Sequence, residues 1–213
     1  QPAARTFTLA DCAVAAEGVL DHLEVSGPVD WVGNAWGGHV GMTFAARRPE
    51  RTRSLMTLAS PVAALTAAER RRILPLVGIY RLAGAIRPAR NGVVEALLTA
   101  EVRRNLPSAA ELIDDVIKKA DRRGLYLAMR SVMLGRPDLS DLLPRIEAPT
   151  VLAAGDDDPM LTTVELARAA EALPHGQTRT IAGSRHLAPV EAPDEVISLV
   201  TKLWGATAGD GGS

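Results

Sequence analysis

Apolar residues at the start of the chain recur at helical spacing. Leu9, Ala13, Ala16, Val19, Leu20 and Leu23 share one face between Thr8 and about Val25, and Thr8 is placed to cap that helix. Gly27-Pro28 ends it. Residues 29–33 form a short β-rich apolar run bounded by glycines, which predicts a buried strand. Residues 37–48 read as a helix with Pro49 just past its end, and residues 54–60 as a second buried strand closed by Pro61.

From 61 to 146 the strand pattern stops. Helical patterns follow one another over 66–82, 91–104, 108–120 and 121–134, with a short closing helix over 139–146. The alternation then resumes: strand 150–155, helix 162–173, strand 178–183, helix 192–204, and a glycine-rich tail from Gly205 expected to be disordered. The predicted organisation is core 1–60, helical insert 61–146, core 147–205 and tail 206–213. Strands separated by helices predict an α/β fold, with a mostly parallel sheet, right-handed crossovers and helices on both faces. Such sheets place their sites at the carboxyl ends of the strands.

Composition narrows the class. The 213 residues are 47% hydrophobic and 23% charged, with a net charge of −1. This is a globular composition, with no basic field to attract nucleic acid or an anionic membrane. The lone Cys12 excludes an internal disulfide framework and a cysteine-cluster metal site, and reads as a small core-facing helix residue. Aromatics are only 3%, so the core is expected to be aliphatic. No apolar run approaches the roughly 20 residues of a membrane span.

The informative segment is Val29-Asp-Trp-Val-Gly33-Asn-Ala35-Trp36-Gly37-Gly38-His39. A strand enters Gly-x-x-x-Gly and continues directly into a helix. The glycines at 33 and 37 would permit a sharp turn that projects the middle residue above the sheet. That frame is the nucleophile elbow, whose usual form is G-x-S-x-G. Here the middle residue is Ala35. The helix that follows aims its positive end at this point, and the Trp36 N–H is a candidate oxyanion donor. Two other strand ends carry candidate chemistry: Gly155-Asp156-Asp157-Asp158 and Gly183-Ser184-Arg185-His186. The order nucleophile position, acid, histidine fits a hydrolase triad, and the separation of 123 positions from Ala35 to Asp158 is largely filled by the helical insert.

With these residues in place, the sequence resembles the lid-bearing α/β-hydrolases of esterase and C–C hydrolase type. The matching elements are Val32-Gly-Asn-Ala-Trp-Gly-Gly38, Phe44-Ala-Ala-Arg-Arg-Pro-Glu50, Gly155-Asp-Asp-Asp158 and His186-Leu-Ala-Pro-Val-Glu191. The resemblance implies that Ala35 stands where the family has serine. It implies that Asp158 is the acid, with Asp157 the runner-up, that His186 is the base and that Trp36 is in the oxyanion hole. It implies a helical cap that covers the pocket, no cofactor or metal, and a small apolar ester-like or acyl substrate.

The sequence departs from the family twice. Alanine has no proton to lose, so acyl transfer through position 35 is impossible. An intact acid and base beside it point to a serine enzyme with its nucleophile replaced, as for trapping a ligand. A degenerate enzyme, a non-catalytic binding protein, an acyltransferase and His–Asp chemistry without a nucleophile are the alternatives. Second, the family has about four strands before the first helix here, one leading to the second oxyanion donor. Those strands are expected from a preceding or separate piece, or from another copy. The cytoplasm is the expected compartment.

Other residues read as structural. His39, on the helix after the elbow, reads as structural, and His22 and His175 as solvated surface. Arg70-Arg71-Arg72 and Arg122-Arg123 read as solvated faces. Leu74, Leu76, Leu97, Leu98, Met129 and Met133 suit either a pocket wall or core packing.

Overall fold

The structure, a computed structural model, describes residues 5–208. The chain runs α1 (Leu9–His22), β1 (Val29–Asn34), α2 (Trp36–Arg47) and β2 (Thr52–Leu58). Five helices follow: α3 (Ala67–Ala83), α4 (Arg87–Leu97), α5 (Ala100–Asn105), α6 (Pro107–Lys119) and α7 (Arg122–Ala128). The chain closes with β3 (Thr150–Gly155), α8 (Thr163–Glu171), β4 (Gly176–Ile181), α9 (Ala188–Glu191) and α10 (Pro193–Ala208). Two compact units result. One is Ala64–Pro137 with the residues leading to Thr8, and the other joins Leu9–Ala63 to Asp138 onward.

The second unit holds the sheet. Its four strands are all parallel and lie in the order β1-β2-β3-β4. Alternation along the central strands builds two cores. Leu55, Leu152 and Ala154 face one way and pack with Leu9 of α1, Val40 and Met42 of α2, and Leu166 of α8. Met56, Leu58, Val151 and Ala153 face the other way, against Ala188 of α9 and Val196 and Leu203 of α10. β3 is buried along its whole length, as a central parallel strand should be.

The edge strands differ from each other. β4 is guarded by Gln177, Thr178, Arg179 and Thr180, polar residues that suit an open edge. β1 carries Val29, Trp31 and Val32, and Val32 is 41% exposed. Asp30 ties the start of β1 to β2, accepting from Arg53 and from Ser54 Oγ at 2.6 Å. Burial opposes ionisation of Asp30, but the hydrogen bonds from Arg53 and Ser54 outweigh it and hold its pKa below the usual carboxylate range. A depressed folded-state pKa stabilises above the unfolded value of about 3.9 and is lost as pH falls through the folded one. Asp30→Asn should therefore lower the Tm by about 1–3 °C at neutral pH, with the difference closing in acid. Thermal melts of both proteins across that range measure it.

The helical unit opens on a reciprocal cap. Thr66 Oγ1 accepts from the Glu69 N–H at 3.2 Å, while the Glu69 carboxylate accepts from the Thr66 N–H at 2.7 Å. Thr162 and Glu165 repeat the device at α8.

Several predicted elements break. The helix expected over 91–104 is α4 and α5, split where Leu98 is extended and Thr99 caps a new helix. The helix over 121–134 is α7 followed by a π-helical turn, Met129–Leu134. The closing helix over 139–146 is a 3-10 turn, Ser140–Arg145, and it packs in the sheet unit through Leu139, Leu143 and Ile146 rather than among α3–α7. β2 stops at Leu58, not 60, because Ala59 turns out of the strand at φ 51°. The tail expected from Gly205 is helical through Ala208; its remaining residues lie outside the described ones.

Candidate active site

The turn between β1 and α2 is held by backbone geometry. Ala35 has φ 49° and ψ −112°, a conformation that costs an L-residue about 1–3 kcal/mol. Its N–H donates to the Leu58 carbonyl at 2.7 Å, across the neighbouring strand. Its own carbonyl accepts from the N–H groups of Gly38 at 3.1 Å and His39 at 3.2 Å, starting α2. The glycines act differently from the sequence expectation. A Cβ at Gly33 would run into the backbone of Gly37 and Gly38, so Gly33 is required. At Gly37 a Cβ would meet nothing within 4 Å. The close approaches are instead at Gly38, against Ser60, and at Gly41, against the Trp31 ring. Gly33→Ala should cost about 3 kcal/mol or more, since only backbone atoms could yield, while Gly37→Ala should be nearly neutral. Denaturant unfolding of the two variants checks this.

Trp31 and Phe44 stack with centroids 5.3 Å apart, and the Trp31 indole donates to the Gly37 carbonyl at 3.0 Å. Trp36 is 40% exposed and lies beside the Cys12 thiol. Burial raises the Cys12 pKa, only partly offset by Trp36, and Cys12 packs against the core.

The other two loops are tied together at the same sheet edge. Gly155 lets the backbone of Ser184 and Arg185 pass where a Cβ would lie. The Asp156 N–H donates to the Ile181 carbonyl at 3.0 Å, and the Asp157 N–H to the Ser184 carbonyl at 3.1 Å. Within this frame, His186 Nδ1 lies 3.2 Å from Asp158 Oδ2. The Asp158 side chain is 0% exposed and His186 is buried. Asp158 Oδ1 also accepts from the Met160 N–H at 2.8 Å. If Nδ1–H donates to the carboxylate, Nε2 is left as the basic nitrogen.

Asp157 is engaged elsewhere, accepting from Arg185 Nη2 at 2.6 Å near the surface. The three successive acids therefore do not converge on one point, and among the described residues no group of three or more His, Cys, Asp or Glu side chains could hold a metal ion.

Sequence reasoning missed three residues around this frame. Ser60 Oγ lies 2.9 Å from the Ala35 carbonyl. The Glu191 carboxylate accepts from the Arg185 N–H at 2.6 Å, bracing the loop before His186. Arg185 itself bridges to Asp157. His39, read from the sequence as structural, is buried, with Nε2 2.8 Å from the Pro61 carbonyl.

A parallel sheet with a strained strand-to-helix elbow, and a buried acid–histidine pair at the same edge, defines a hydrolase-type α/β architecture. The chain belongs to the α/β-hydrolase fold family, whose model matches residues 1–193. It is 24% identical over 185 residues to a poly(3-hydroxyalkanoate) depolymerase of Ectopseudomonas oleovorans, covering 87% of this chain and 63% of that protein. It is 30% identical over 153 residues to a pimeloyl-[acyl-carrier protein] methyl ester esterase of Neisseria meningitidis, covering 70% of this chain and 57% of that one. The chain thus spans about six-tenths of the length of these relatives. Its fold is similar to a thermophilic esterase from Thermogutta terrifontis, with TM-score 0.85 and 23% identity over 97% of this chain and 75% of that one. It is likewise similar to an enol-lactonase from Burkholderia xenovorans, with TM-score 0.84 and 20% identity over 95% of this chain and 75% of that one. Among the described residues no helix is long and apolar enough to cross a membrane.

Proposed function

We propose that this chain carries the site of a serine-type hydrolase of carboxylic esters or lactones, with Ala35 in the nucleophile's place. The observation that carries this reading is the fully buried Asp158 carboxylate 3.2 Å from His186 Nδ1, on the edge where Ala35 holds an elbow conformation. A plain βα turn would not require the backbone strain or the acid–histidine pair. Esters are also the chemistry named for the relatives: a poly(3-hydroxyalkanoate) depolymerase and a methyl ester esterase. C–C bond cleavage or acyl transfer to an alcohol or amine would use the same groups.

In this reading a serine at 35 would lose its proton to His186 Nε2 as its oxygen bonds the ester carbonyl carbon. Asp158 would hold the imidazole tautomer and stabilise the imidazolium that forms. The Trp36 N–H would stabilise the developing oxyanion. The imidazolium would then protonate the departing alcohol, and water would release the acid by the same steps in reverse roles. With Ala35 the first bond cannot form, so the chain as it stands is expected to bind substrate and to retain only a slow residual hydrolysis without an acyl-enzyme.

The outer edge of β1 fits the same reading. It is unpaired among the described residues and apolar, unlike the polar edge at β4. We propose that a further strand pairs there, from another segment or another copy, and brings the second oxyanion donor. The rival reading is a binding protein without chemistry. Ala35→Ser assayed over a panel of aryl esters separates the two: turnover that His186→Ala abolishes supports the enzyme, and tight ligand binding with no turnover supports the receptor.

A further inference from the structure

The carbonyl of the elbow receives one donor more than a helix start requires. Two of its donors, the N–H groups of Gly38 and His39, are ordinary first-turn bonds. The third is Ser60 Oγ at 2.9 Å, which arrives from the loop after β2, 25 residues along the chain. Ser60 is 4% exposed, and its single hydroxyl proton is shared between this carbonyl and that of Leu58, 2.8 Å away. That carbonyl already accepts the Ala35 N–H at 2.7 Å. Neither carbonyl therefore needs the hydroxyl to avoid burial without a partner. Room has nevertheless been kept for it: a Cβ at Gly38 would overlap Ser60 Oγ. The hydroxyl sits where the two left-handed turns, at Ala35 and at Ala59, come together.

We propose that Ser60 is a positioning residue that sets the aim and the donor strength of the Trp36 N–H. The proposal rests on the reading that this N–H stabilises an oxyanion. The Ala35 carbonyl and the Trp36 N–H belong to one planar trans peptide, and they point in opposite directions. A hydroxyl that pins the carbonyl fixes that plane, and the N–H on its far side cannot swing with it. A hydrogen bond accepted by an amide oxygen also draws charge from its nitrogen, so the N–H becomes a better donor. Both effects act on the side of the turn away from Ser60, and Ser60 need not touch substrate. Preorganised donors of this kind gain most where charge develops, so the contribution is expected in the rate rather than in ground-state binding.

The first test needs no activity and uses the chain as it is. In 15N–1H spectra, Ser60→Ala should move the Trp36 amide proton upfield by more than any other amide of residues 33–39. Ser60→Thr, which keeps the hydroxyl, should leave it near its native position. If Ser60→Ala does not fold, Ser60→Cys keeps the size with a weaker donor and should give the same upfield shift. A lower Tm with the Trp36 amide unmoved overturns the proposal, because a purely structural hydroxyl would behave that way. The second test adds Ala35→Ser. There Ser60→Ala should lower kcat roughly 10-fold with KM unchanged, a smaller loss than deleting an oxyanion donor outright, and Ser60→Thr should recover most of it. A loss confined to KM, or none, overturns the catalytic consequence. If Ala35→Ser is itself inactive, the hydrolase reading fails, while the amide shift still decides whether Ser60 controls this peptide.

Discussion

With the strand that pairs along β1 in place, Ala35→Ser is expected to raise ester turnover by about 10⁴-fold or more over the same protein with alanine. The size follows from what alanine removes. Without a hydroxyl no acyl-enzyme can form, and the residual reaction is left to binding, oxyanion stabilisation and the His186–Asp158 pair acting on water. The backbone is already paid for: Ala35 holds φ 49° and ψ −112°, and its N–H and carbonyl are both bonded. Serine needs no new conformation there, so the added oxygen should enter an arranged site. Initial rates on an activated aryl ester, with and without a second His186→Ala change, give the number. The two-residue variant should fall back to the level of the parent.

The second large effect separates two adjacent carboxylates. On the Ala35→Ser background, Asp158→Asn should lower kcat by about 10⁴-fold, because an amide facing Nδ1 favours the wrong imidazole tautomer. Asp157→Asn should change it less than about threefold, since Asp157 spends its charge on a surface pair with Arg185. Both side chains are one residue apart and share a loop, so a general disturbance of that loop would affect the two alike. A steady-state comparison of the two variants distinguishes an acid that holds the histidine from one that only helps hold the loop.

Much of this architecture could be read from the chain, and the reasons are local. Short apolar runs bounded by glycine and proline mark β1, β2 and β3, and the spacing of Leu9, Ala13 and Leu20 marks α1. Gly33, Ala35, Asp158 and His186 fall at strand ends because parallel crossovers return every strand to the same edge. What escaped depends on contacts between distant segments. Nothing near Ser60 in sequence says that its hydroxyl meets Ala35, 25 residues earlier. Three successive aspartates look alike until Arg185 takes one and His186 faces another. Gly37 fits the written motif, yet Gly38 and Gly41 are the positions that Ser60 and Trp31 crowd. The segment 139–146 has helical periodicity, but its leucines and Ile146 are claimed by the sheet core. The break between α4 and α5 is set by two extended residues, the fully buried Leu98 and Thr99, which caps α5.

The central claim is that position 35 is a nucleophile's seat served by His186. Intact-mass measurement after exposure to a fluorophosphonate tests it most directly, because the probe reports attack by the residue itself and needs no knowledge of the substrate. The account predicts one covalent adduct on Ala35→Ser, mapping to residue 35, and none on the parent chain or on Ala35→Ser with His186→Ala. An unlabelled, folded Ala35→Ser protein, or labelling that persists without His186, would contradict it.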